Sequence, residues 1–330
     1  MTKPVSWGVL GVAGIAVHKV IPAMQGSELS RVRAIASRSE GKAEDAATDL
    51  GIEKAYASYE ALLADPEIEA VYIPLPNHLH AEWTEKAAVA GKHVLCEKPL
   101  AMSSDEARHM IEVCRDAGVK LMEAFMYRLH PMWVEAKRMV DAGVIGDLLA
   151  IQSFFSYRNV DPSNIRNIAR FGGGALMDIG CYSINAARML FGAEPETVKS
   201  SILRDPDFGT DAVTSAVLDF GGRHATFTCS TQLEDHQNVL VVGTTGRLEF
   251  EIPFNIPPDR PTRLLHFTGG EPPVSPQVEA HEFPAADQYR IQADAFSRAI
   301  REDTPVPTDP DDAVANLIVI ERIVANAAVT

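Results

Sequence analysis

The feature that most constrains this fold is the alternation of short apolar runs with amphipathic stretches over residues 1–126. One such stretch, 103–117, has Ser103 as a helix cap, two acidic residues in its first turn and Gly118 as its stop. Parallel strands need a crossover helix between them, so the alternation predicts a doubly wound parallel sheet. The predicted strands are 5–10, 32–37, 70–73, 93–96 and 119–126.

A different pattern begins after residue 126, where helices precede several longer strands. Gly221 and Gly222 separate two of these strands and predict a hairpin. Consecutive strands joined by short turns indicate an antiparallel sheet, and so an α+β domain. The predicted helices are 131–142 and 175–190, and the predicted strands are 197–204, 212–220, 224–231, 239–242 and 247–251. The proline-rich residues 253–284 are predicted to be a surface excursion, followed by helices at about 287–301 and 310–327.

Composition limits the function. The chain has 330 residues, 46% of them hydrophobic, and a formal net charge of -15, which repels nucleic acid and anionic membranes, so neither is expected as a partner. Cys96, Cys114, Cys181 and Cys229 are widely spaced with no C-x-x-C pair, which indicates reduced thiols in a cytoplasmic protein. No apolar stretch approaches the roughly 18 residues of a membrane span, and no signal peptide is expected.

The loop after the first predicted strand is a variant of the G-x-G-x-x-G fingerprint. Gly11 keeps the position that the tight turn needs, and alanines replace the second and third glycines. Small residues there let the backbone approach a pyrophosphate at the N-terminus of the next helix. The predicted cofactor contacts are Gly11, Ala13, Gly14, Ile15 and Ala16. The alternative is a strand-to-helix turn packed with small residues.

The second predicted strand ends with Ser37 and Arg38, where a site for NAD would usually have an acid. A cationic tip without an acid suits the 2′-phosphate of NADP. Ser39 is expected to cap the next helix and direct backbone N–H groups to the same place. Ser37, Arg38 and Lys42 are therefore predicted to bind NADP, with NAD as the alternative cofactor. The opposing interpretation is that Arg38 is a solvated surface arginine.

The apolar strand 93–96 is followed by Glu97, Lys98 and Pro99. A buried parallel strand is nearly all apolar, so Lys98 must project from its carboxyl end, where open α/β sheets bind ligands. Glu97 and Lys98 are both predicted to contact the cofactor.

The strand before it ends in a segment that is expected to line the nicotinamide end of the same cleft, at Leu75, Pro76, Asn77 and His80. His78 and His80 raise the alternative of a metal pair. No further ligand cluster accompanies them and hydride transfer needs no metal, so no metal site is predicted.

Three glycines at 172–174 precede a predicted helix that carries Asp178 and Tyr182. Glycines let the backbone approach a ligand, and residues four apart share one helix face, so the acid and the phenol can reach one substrate. The alternatives are that Tyr182 is a half-buried core residue and that Asp178 balances Arg188 or caps a turn. Arg166, in the preceding loop, is a further candidate for substrate binding, or a structural ion-pair residue.

Five motifs together resemble the Gfo/Idh/MocA oxidoreductases over essentially the whole chain. They are Gly11-x-Ala13, PNHLH at 76–80, CEKPLA at 96–101, EAFMYRLHP at 123–131 and GGGALMDIGCY at 172–182. Tyrosine at 182, with the EAFMYR run, resembles the branch that contains glucose-fructose oxidoreductase, NADP-dependent D-xylose dehydrogenases and dimeric dihydrodiol dehydrogenase. The resemblance implies that Lys98, Asp178 and Tyr182 form the catalytic set and that the Lys98–Pro99 bond is cis. It also implies a homodimer or homotetramer formed through the antiparallel sheet.

The predicted fold is thus an α/β Rossmann domain over residues 1–126, with a doubly wound parallel sheet, and an α+β domain over residues 127–330 with a large, mostly antiparallel sheet. The first domain is expected to bind the dinucleotide. The second is expected to bind substrate and form the oligomer, with the option that its last helix packs back on the first domain.

The expected reaction is NADP-dependent oxidation of a sugar or cyclic polyol, specifically of xylose or glucose at carbon one. Tyr182 would accept the hydroxyl proton as hydride leaves carbon. An ordinary phenol has a pKa of about 10, and the ammonium of Lys98 would favour the phenolate. Asp178 would accept a hydrogen bond from a neighbouring substrate hydroxyl, and Lys98, Arg166 and Tyr182 complete the predicted substrate contacts.

Three alternatives stay open. A ketoreductase acting on a nucleotide-linked sugar would use the same groups. A dinucleotide-sensing regulatory protein could have the same fold, although the presence of Lys98, Asp178 and Tyr182 together argues against it. A redox-assisted glycoside hydrolase would keep its nicotinamide tightly bound and consume none.

Overall fold

The computed structural model describes residues 3–39, 41–269 and 277–328. The chain forms two compact units. The first combines Met1–Met126 with Tyr289–Val314, and the second combines Tyr127–Gln288 with Ala315–Thr330. The sequence predicts that all residues after 126 belong to the second domain, whereas in the structure Tyr289–Val314 belongs to the first unit.

Strands and helices are numbered in chain order over the described residues. The strands are β1 Val5–Leu10, β2 Ser30–Ala36, β3 Lys54–Tyr56, β4 Ala70–Ile73, β5 His93–Cys96, β6 Leu121–Glu123, β7 Leu148–Arg158, β8 Thr197–Arg204, β9 Asp211–Asp219, β10 His224–Ser230, β11 Gln232–Gly243, β12 Gly246–Phe250, β13 Thr262–Thr268, β14 Gln277–Phe283 and β15 Ala327–Ala328. The helices are α1 Ile21–Gln25, α2 Lys42–Leu50, α3 Tyr59–Leu63, α4 His80–Val89, α5 Ser104–Asp116, α6 Pro131–Asp141, α7 Cys181–Phe191, α8 Gln288–Glu302 and α9 Asp311–Ala325. Within these parts of the chain, no helix has both the length and the apolar character needed to cross a bilayer.

The first unit is built on a parallel sheet with the strand order β3-β2-β1-β4-β5-β6. The order reverses between β1 and β4, which opens a crevice at the carboxyl edge of the sheet. The predicted doubly wound parallel sheet is confirmed. The short strand β3 is the one member of this described sheet that the apolar runs did not predict.

Helix α8 completes the core of the first unit. Phe296 places its ring 5.6 Å from that of Trp7, and the indole N–H of Trp7 donates to Ser297 Oγ at 3.1 Å. Near the end of the helix, Arg301 pairs with Glu69 at 2.7 Å. The apolar face of the parallel sheet is therefore covered in part by residues from late in the chain.

The second unit contains a sheet of nine described strands in the order β14-β13-β12-β11-β7-β10-β9-β8-β15. Neighbours run antiparallel except for β7 with β10 and β8 with β15, so the mostly antiparallel sheet is confirmed. The central strand β7 was not predicted. The surface excursion expected at 253–284 is wrong, because β13 and β14 pair there in register; residues 270–276 of that segment lie outside the described residues.

The two faces of this sheet differ in their cover. The helical segment that leads into α7 packs against β10, on the face that carries Phe227 and Cys229. Because side chains alternate along a strand, Phe154, Thr226 and Thr228 lie on the opposite face. There they contribute to an open groove of about 540 Å³.

Candidate active site

The predicted cofactor loop starts at Gly11, directly after β1. Gly11 has a φ of +114°, a backbone conformation that requires glycine, and a Cβ there would also lie 3.0 Å from Leu75 Cδ2. The next turn, Ala16–Val20, is π-helical and runs into α1. Residues 13–15 remain at least partly exposed, whereas Ala16 is fully buried. Ala16 therefore packs the turn, and its contact with a cofactor stays a prediction.

The end of β2 combines a buried hydroxyl with an exposed cation. Ser37 is buried, and its Oγ accepts the backbone N–H of Ser39 at 3.1 Å. The guanidinium carbon of Arg38 lies 5.6 Å from the centre of the Tyr59 ring. Burial raises the pKa of Tyr59, although Arg38 lowers it, so the ring beneath the cation is a neutral phenol. Arg38 is thus placed over an aromatic ring at the tip of the sheet.

The expected helix cap at Ser39 is wrong. Helix α2 begins at Lys42, and its N-cap is Gly41, which has a φ of +74° and no side chain to cap with. The carbonyl of Ser39 instead accepts the Lys42 N–H at 3.3 Å. Lys42 is exposed at the first position of the helix, close to the end of β2 in the chain.

His80 is predicted to contact a cofactor; the structure places its ring between two backbone segments, and the cofactor contact stays a prediction. Its ring is fully buried, with Nδ1 3.0 Å from the carbonyl oxygen of Pro99 and Nε2 2.8 Å from that of Leu75. Burial lowers the pKa of His80 to about 4, although the backbone carbonyls oppose it, so near pH 7 the neutral ring donates its one N–H to one of these two carbonyls. His80 therefore links the segments that follow β4 and β5. Pro76 and Asn77, by contrast, are partly exposed just after β4.

The segment after β5 carries Lys98, and the Lys98–Pro99 peptide bond is cis. Glu97 and Lys98 are partly exposed at the carboxyl edge of the parallel sheet. The phenol of Tyr72 donates to Glu97 Oε1 at 2.6 Å, and burial, then Glu97, raise the pKa of Tyr72. Glu123 Oε1 accepts the N–H of Leu100 at 2.8 Å. Together with His80, these contacts fix the backbone on both sides of Lys98.

The glycines before α7 pack against protein rather than opening room for a ligand. A Cβ on Gly173 would lie 2.4 Å from the carbonyl oxygen of Arg166, and one on Gly174 would lie 2.0 Å from Asp211 Oδ1. Gly174 also has a φ of +117°. The expectation that Gly173 and Gly174 serve a ligand directly is therefore corrected: Gly173 lets the loop of Arg166 approach the start of the helix, and Gly174 does the same for Asp211.

Asp178 is the centre of the hydrogen-bonded cluster in the second unit. It lies in a π-helical turn, Leu176–Gly180, that runs into α7, rather than in a regular α-helix as predicted. Its Oδ2 accepts Arg166 Nε–H at 2.9 Å and the Tyr157 hydroxyl at 2.5 Å. Asp178 raises the pKa of Arg166; burial, then Asp178, raise that of Tyr157. The carboxylate is thus oriented by a cation and a phenol, while Arg188 pairs with Glu194 at 2.7 Å.

Tyr182 is the second residue of α7, beside this cluster. Only 6% of the residue is exposed, and the rings of Tyr127, Phe155 and Phe254 lie with centres 5.2 to 5.8 Å from its own. Its phenol contributes to the raised pKa of Arg166, after the larger effect of Asp178. Tyr182 is therefore packed among aromatic rings, and its phenol is close enough to the Arg166 guanidinium for the two to interact electrostatically.

The predicted residues thus fall into two groups. In the first unit, Gly11, Ser37, Arg38, Leu75, Pro76, Asn77, Glu97 and Lys98 follow the carboxyl ends of the parallel strands. In the second unit, Arg166, Asp178 and Tyr182 belong to one electrostatic cluster. Sequence reasoning missed Tyr72, Glu123 and Tyr157. Glu123 is the first residue of the EAFMYR motif, so the motif could have indicated its role. Nothing in the spacing along the chain connects Tyr157 with Asp178.

Comparison with known proteins gives two family matches. Residues 5–125 match the oxidoreductase family with an NAD-binding Rossmann fold, and residues 133–249 match the GFO/IDH/MocA C-terminal domain. The chain is similar to the uncharacterized oxidoreductase ORF334 of Rhizobium meliloti, with 48% identity over 98% of this chain and 97% of that one. It is also similar to D-xylose 1-dehydrogenase (NADP(+)) 2 of Haloferax volcanii, with 42% identity over 97% of each. The solved structure of KijD10, a 3-ketoreductase from Actinomadura kijaniata in complex with NADP and TDP-benzene, matches with a TM-score of 0.91 and 33% identity over 98% of both chains.

These matches cover both units, and the chain belongs to the Gfo/Idh/MocA family of oxidoreductases. The family and the enzyme class that the sequence motifs predicted are confirmed. The protein is an oxidoreductase with a Rossmann-type first unit and a C-terminal domain of this family.

Proposed function

We propose that the protein is an NADP-dependent oxidoreductase acting on a sugar or cyclic polyol, and that it oxidises an aldose such as xylose or glucose at carbon one. The observation that carries this proposal is the carboxylate of Asp178, held by Arg166 and Tyr157 four residues before Tyr182. A fixed acceptor next to a phenol suits a substrate with adjacent hydroxyl groups. The similarity to an NADP-linked D-xylose dehydrogenase supports the same substrate class.

The carboxyl edge of the parallel sheet fits NADP. Gly11, with a φ of +114°, provides the tight turn of the phosphate-binding loop directly after β1. Ser37 and Arg38 place a hydroxyl and a cation, rather than an acid, where the 2′-phosphate would be held. When bound, NADP accepts or returns the hydride. Residues 13–15, Lys42, the segment 75–77 and Glu97 complete the proposed cofactor contacts.

Each catalytic group then has one task. Tyr182, as the phenolate, takes the proton of the substrate hydroxyl. The O–H electron pair becomes the second C–O bond, and the C–H pair leaves the hydroxyl-bearing carbon as the hydride. Lys98 supplies positive charge to the reacting oxygen from the end of β5. Asp178 accepts a hydrogen bond from the neighbouring hydroxyl and fixes the sugar, with Arg166 holding the carboxylate in place.

The second candidate is a ketoreductase that acts on a nucleotide-linked sugar. The structural match to a 3-ketoreductase over 98% of both chains favours it. The same three residues would act in reverse, with Tyr182 donating the proton to the ketone oxygen. The two functions differ in their preferred substrate and direction.

The deciding experiment follows NADPH absorbance during a screen of free aldoses, cyclic diols and nucleotide-linked keto sugars. Reduction of NADP⁺ with xylose or glucose supports the first proposal, and oxidation of NADPH only with nucleotide-linked ketones supports the second. Turnover of none of these, with NADP(H) still bound, would instead indicate the sensing protein. Purified protein that retains nicotinamide and cleaves glycosides without consuming it would indicate the hydrolase.

We also propose that the protein is a homodimer or homotetramer in the cytoplasm, assembled through the second unit's sheet. The open groove with Phe154, Thr226 and Thr228, next to the exposed Val217, supports a sheet-to-sheet contact. The four cysteines are all buried thiols, which suits a reducing compartment. Light scattering on wild type and Val217→Glu tests the assembly: the charged variant is expected to dissociate.

A further inference from the structure

Two histidines and a glutamate lie together on the hairpin of β13 and β14, outside the proposed active site. In the antiparallel register, His266 is opposite Glu279 and Leu264 is opposite His281. Alternate residues share a face of a sheet, so His266, Glu279 and His281 project from the same face. We call these three residues the hairpin cluster.

The spacing of the hairpin cluster is close to that of a metal site. Glu279 Oε2 lies 3.9 Å from His266 Nδ1 and 3.9 Å from His281 Nε2, and one ligand atom from each residue lies within 4.8 Å of the others. Tetrahedral bonds of about 2.0 to 2.1 Å place ligand atoms roughly 3.3 Å apart. Contraction around an ion therefore requires about 0.6 Å between Glu279 and each imidazole, and up to about 1.5 Å between the most distant ligand atoms. The side chains of Glu279 and His281 are 71% and 26% exposed, which leaves both of them room to move.

The imidazoles show that the hairpin cluster is not satisfied by protein contacts. His266 is only 7% exposed. The Nε2 atom of His281, which lies 3.9 Å from Glu279 Oε2, is also buried. Among the residues that the structure describes, neither His281 Nε2 nor His266 Nε2 has a hydrogen-bond partner. The separation of 3.9 Å from Glu279 is too long for a hydrogen bond. A buried polar atom left unsatisfied destabilises the fold, and an ion bound to His281 would remove that penalty at Nε2.

The charge that attracts a cation comes from within the cluster. Glu135 on α6 is held by two hydrogen bonds from Arg138, at 2.7 and 2.6 Å, and so is not a ligand. Glu279 supplies the negative charge within the cluster itself.

We propose that His266, Glu279 and His281 bind one divalent transition-metal ion of the zinc class. Two imidazoles and a carboxylate are ligands that zinc and its neighbours in the series accept, with water in a fourth position. The ion joins the edge strand β14 to β13 and so stabilises the end of the sheet. This site is separate from the proposed dehydrogenase chemistry and does not depend on it.

The test is titration of the untagged full-length protein with Co²⁺, followed by displacement with Zn²⁺. Wild type is expected to bind one ion per chain, with the visible absorption of a low-coordinate Co²⁺ site that Zn²⁺ removes. Loss of an outer partner of a ligand already weakens metal binding about 10- to 100-fold, so His281→Gln and Glu279→Gln should each weaken it by roughly 100-fold or more. His224→Gln, at an exposed histidine of the same sheet, should leave it unchanged.

A second readout is hydrogen exchange at the amides of β14. Zn²⁺ should slow exchange there in wild type and in His224→Gln, but not in His281→Gln. Wild type that binds no more Co²⁺ than His281→Gln would overturn the proposal. So would binding that survives both His281→Gln and Glu279→Gln, because the ion would then be held elsewhere.

Discussion

Arg166 donates its Nε–H to the carboxylate of Asp178 at 2.9 Å, from a loop that passes close to Gly173. The Arg166 side chain is 41% exposed and the Asp178 side chain is 13% exposed. The arginine therefore lies between the acid and solvent, and part of the arginine itself is in contact with solvent. The acid that is proposed to hold the sugar is therefore itself held by a residue outside its helix.

Arg166→Met should lower kcat/KM by about 10²-fold, because a misplacement of about 1 Å at a reacting centre costs that much. Arg170→Met is the matched control, since Arg170 is an exposed arginine of the same segment. Steady-state kinetics on the best sugar compare the two variants. Equal effects from both would mean that Arg166 has no special part in positioning Asp178.

Tyr182→Phe should keep the fold and the affinity for NADP but lower kcat by about 10² to 10⁴-fold, the usual effect of removing a positioned acid-base group. The aromatic packing with Phe155 and Phe254 needs only the ring, which phenylalanine retains. Turnover, thermal unfolding and NADP titration should be measured on the same preparation. An unchanged kcat would remove Tyr182 from the mechanism.

Arg38→Ala should reduce the preference for NADP over NAD by roughly ten- to a hundredfold, since a charge-assisted contact is worth about 1.5 to 3 kcal/mol. Arg31→Ala is the control, because Arg31 is an exposed arginine at the other end of β2. The quantity to compare is the ratio of kcat/KM for the two cofactors. A wild type that prefers NAD, or a ratio that Arg38→Ala does not change, contradicts the assignment.

Glu69→Gln should lower the free energy of unfolding by about 2 kcal/mol at pH 7, in a pH-dependent manner. Hydrogen bonds from Arg301 lower the pKa of Glu69 to about 2, despite the opposing effect of burial, and the backbone N–H of Ser6 adds a third bond. A lowered pKa stabilises the fold above the unfolded value of about 4.5, and that stabilisation is lost as pH falls toward 2.

Urea unfolding between pH 7 and pH 2 measures the effect. The difference between wild type and Glu69→Gln should shrink steadily below about pH 5. Glu82→Gln, in the exposed pair with Lys86, should show a small and nearly constant difference. A difference for Glu69→Gln that stays constant with pH would mean that the ion pair with Arg301 contributes nothing.

Sequence patterns predicted most of the first unit because apolar strands and small-residue turns are local signals. Gly11 and Lys98 could be placed at strand ends from their neighbours alone. The hairpin of β13 and β14 was missed because nearby prolines indicated a loop, while its alternating residues pair only with each other and with β12.

The contacts that sequence reasoning missed within the candidate site all join distant segments. His80 joins two backbone carbonyls that follow different strands, and Tyr157 reaches Asp178 from a strand that was not predicted. None of these partners can be read from spacing along the chain.

The return of residues 289–314 to the first unit has a consequence for synthesis. The ribosome completes the parallel strands long before it makes Phe296, Ser297 and Arg301, which cover Trp7 and pair with Glu69. Roughly 180 further residues must be translated, which takes about 10 to 35 s at about 5 to 20 residues per second. During that interval the nascent N-terminal half exposes an unfinished apolar surface, so a nascent chain stalled before residue 289 should be a chaperone substrate even though its nucleotide loop is already complete.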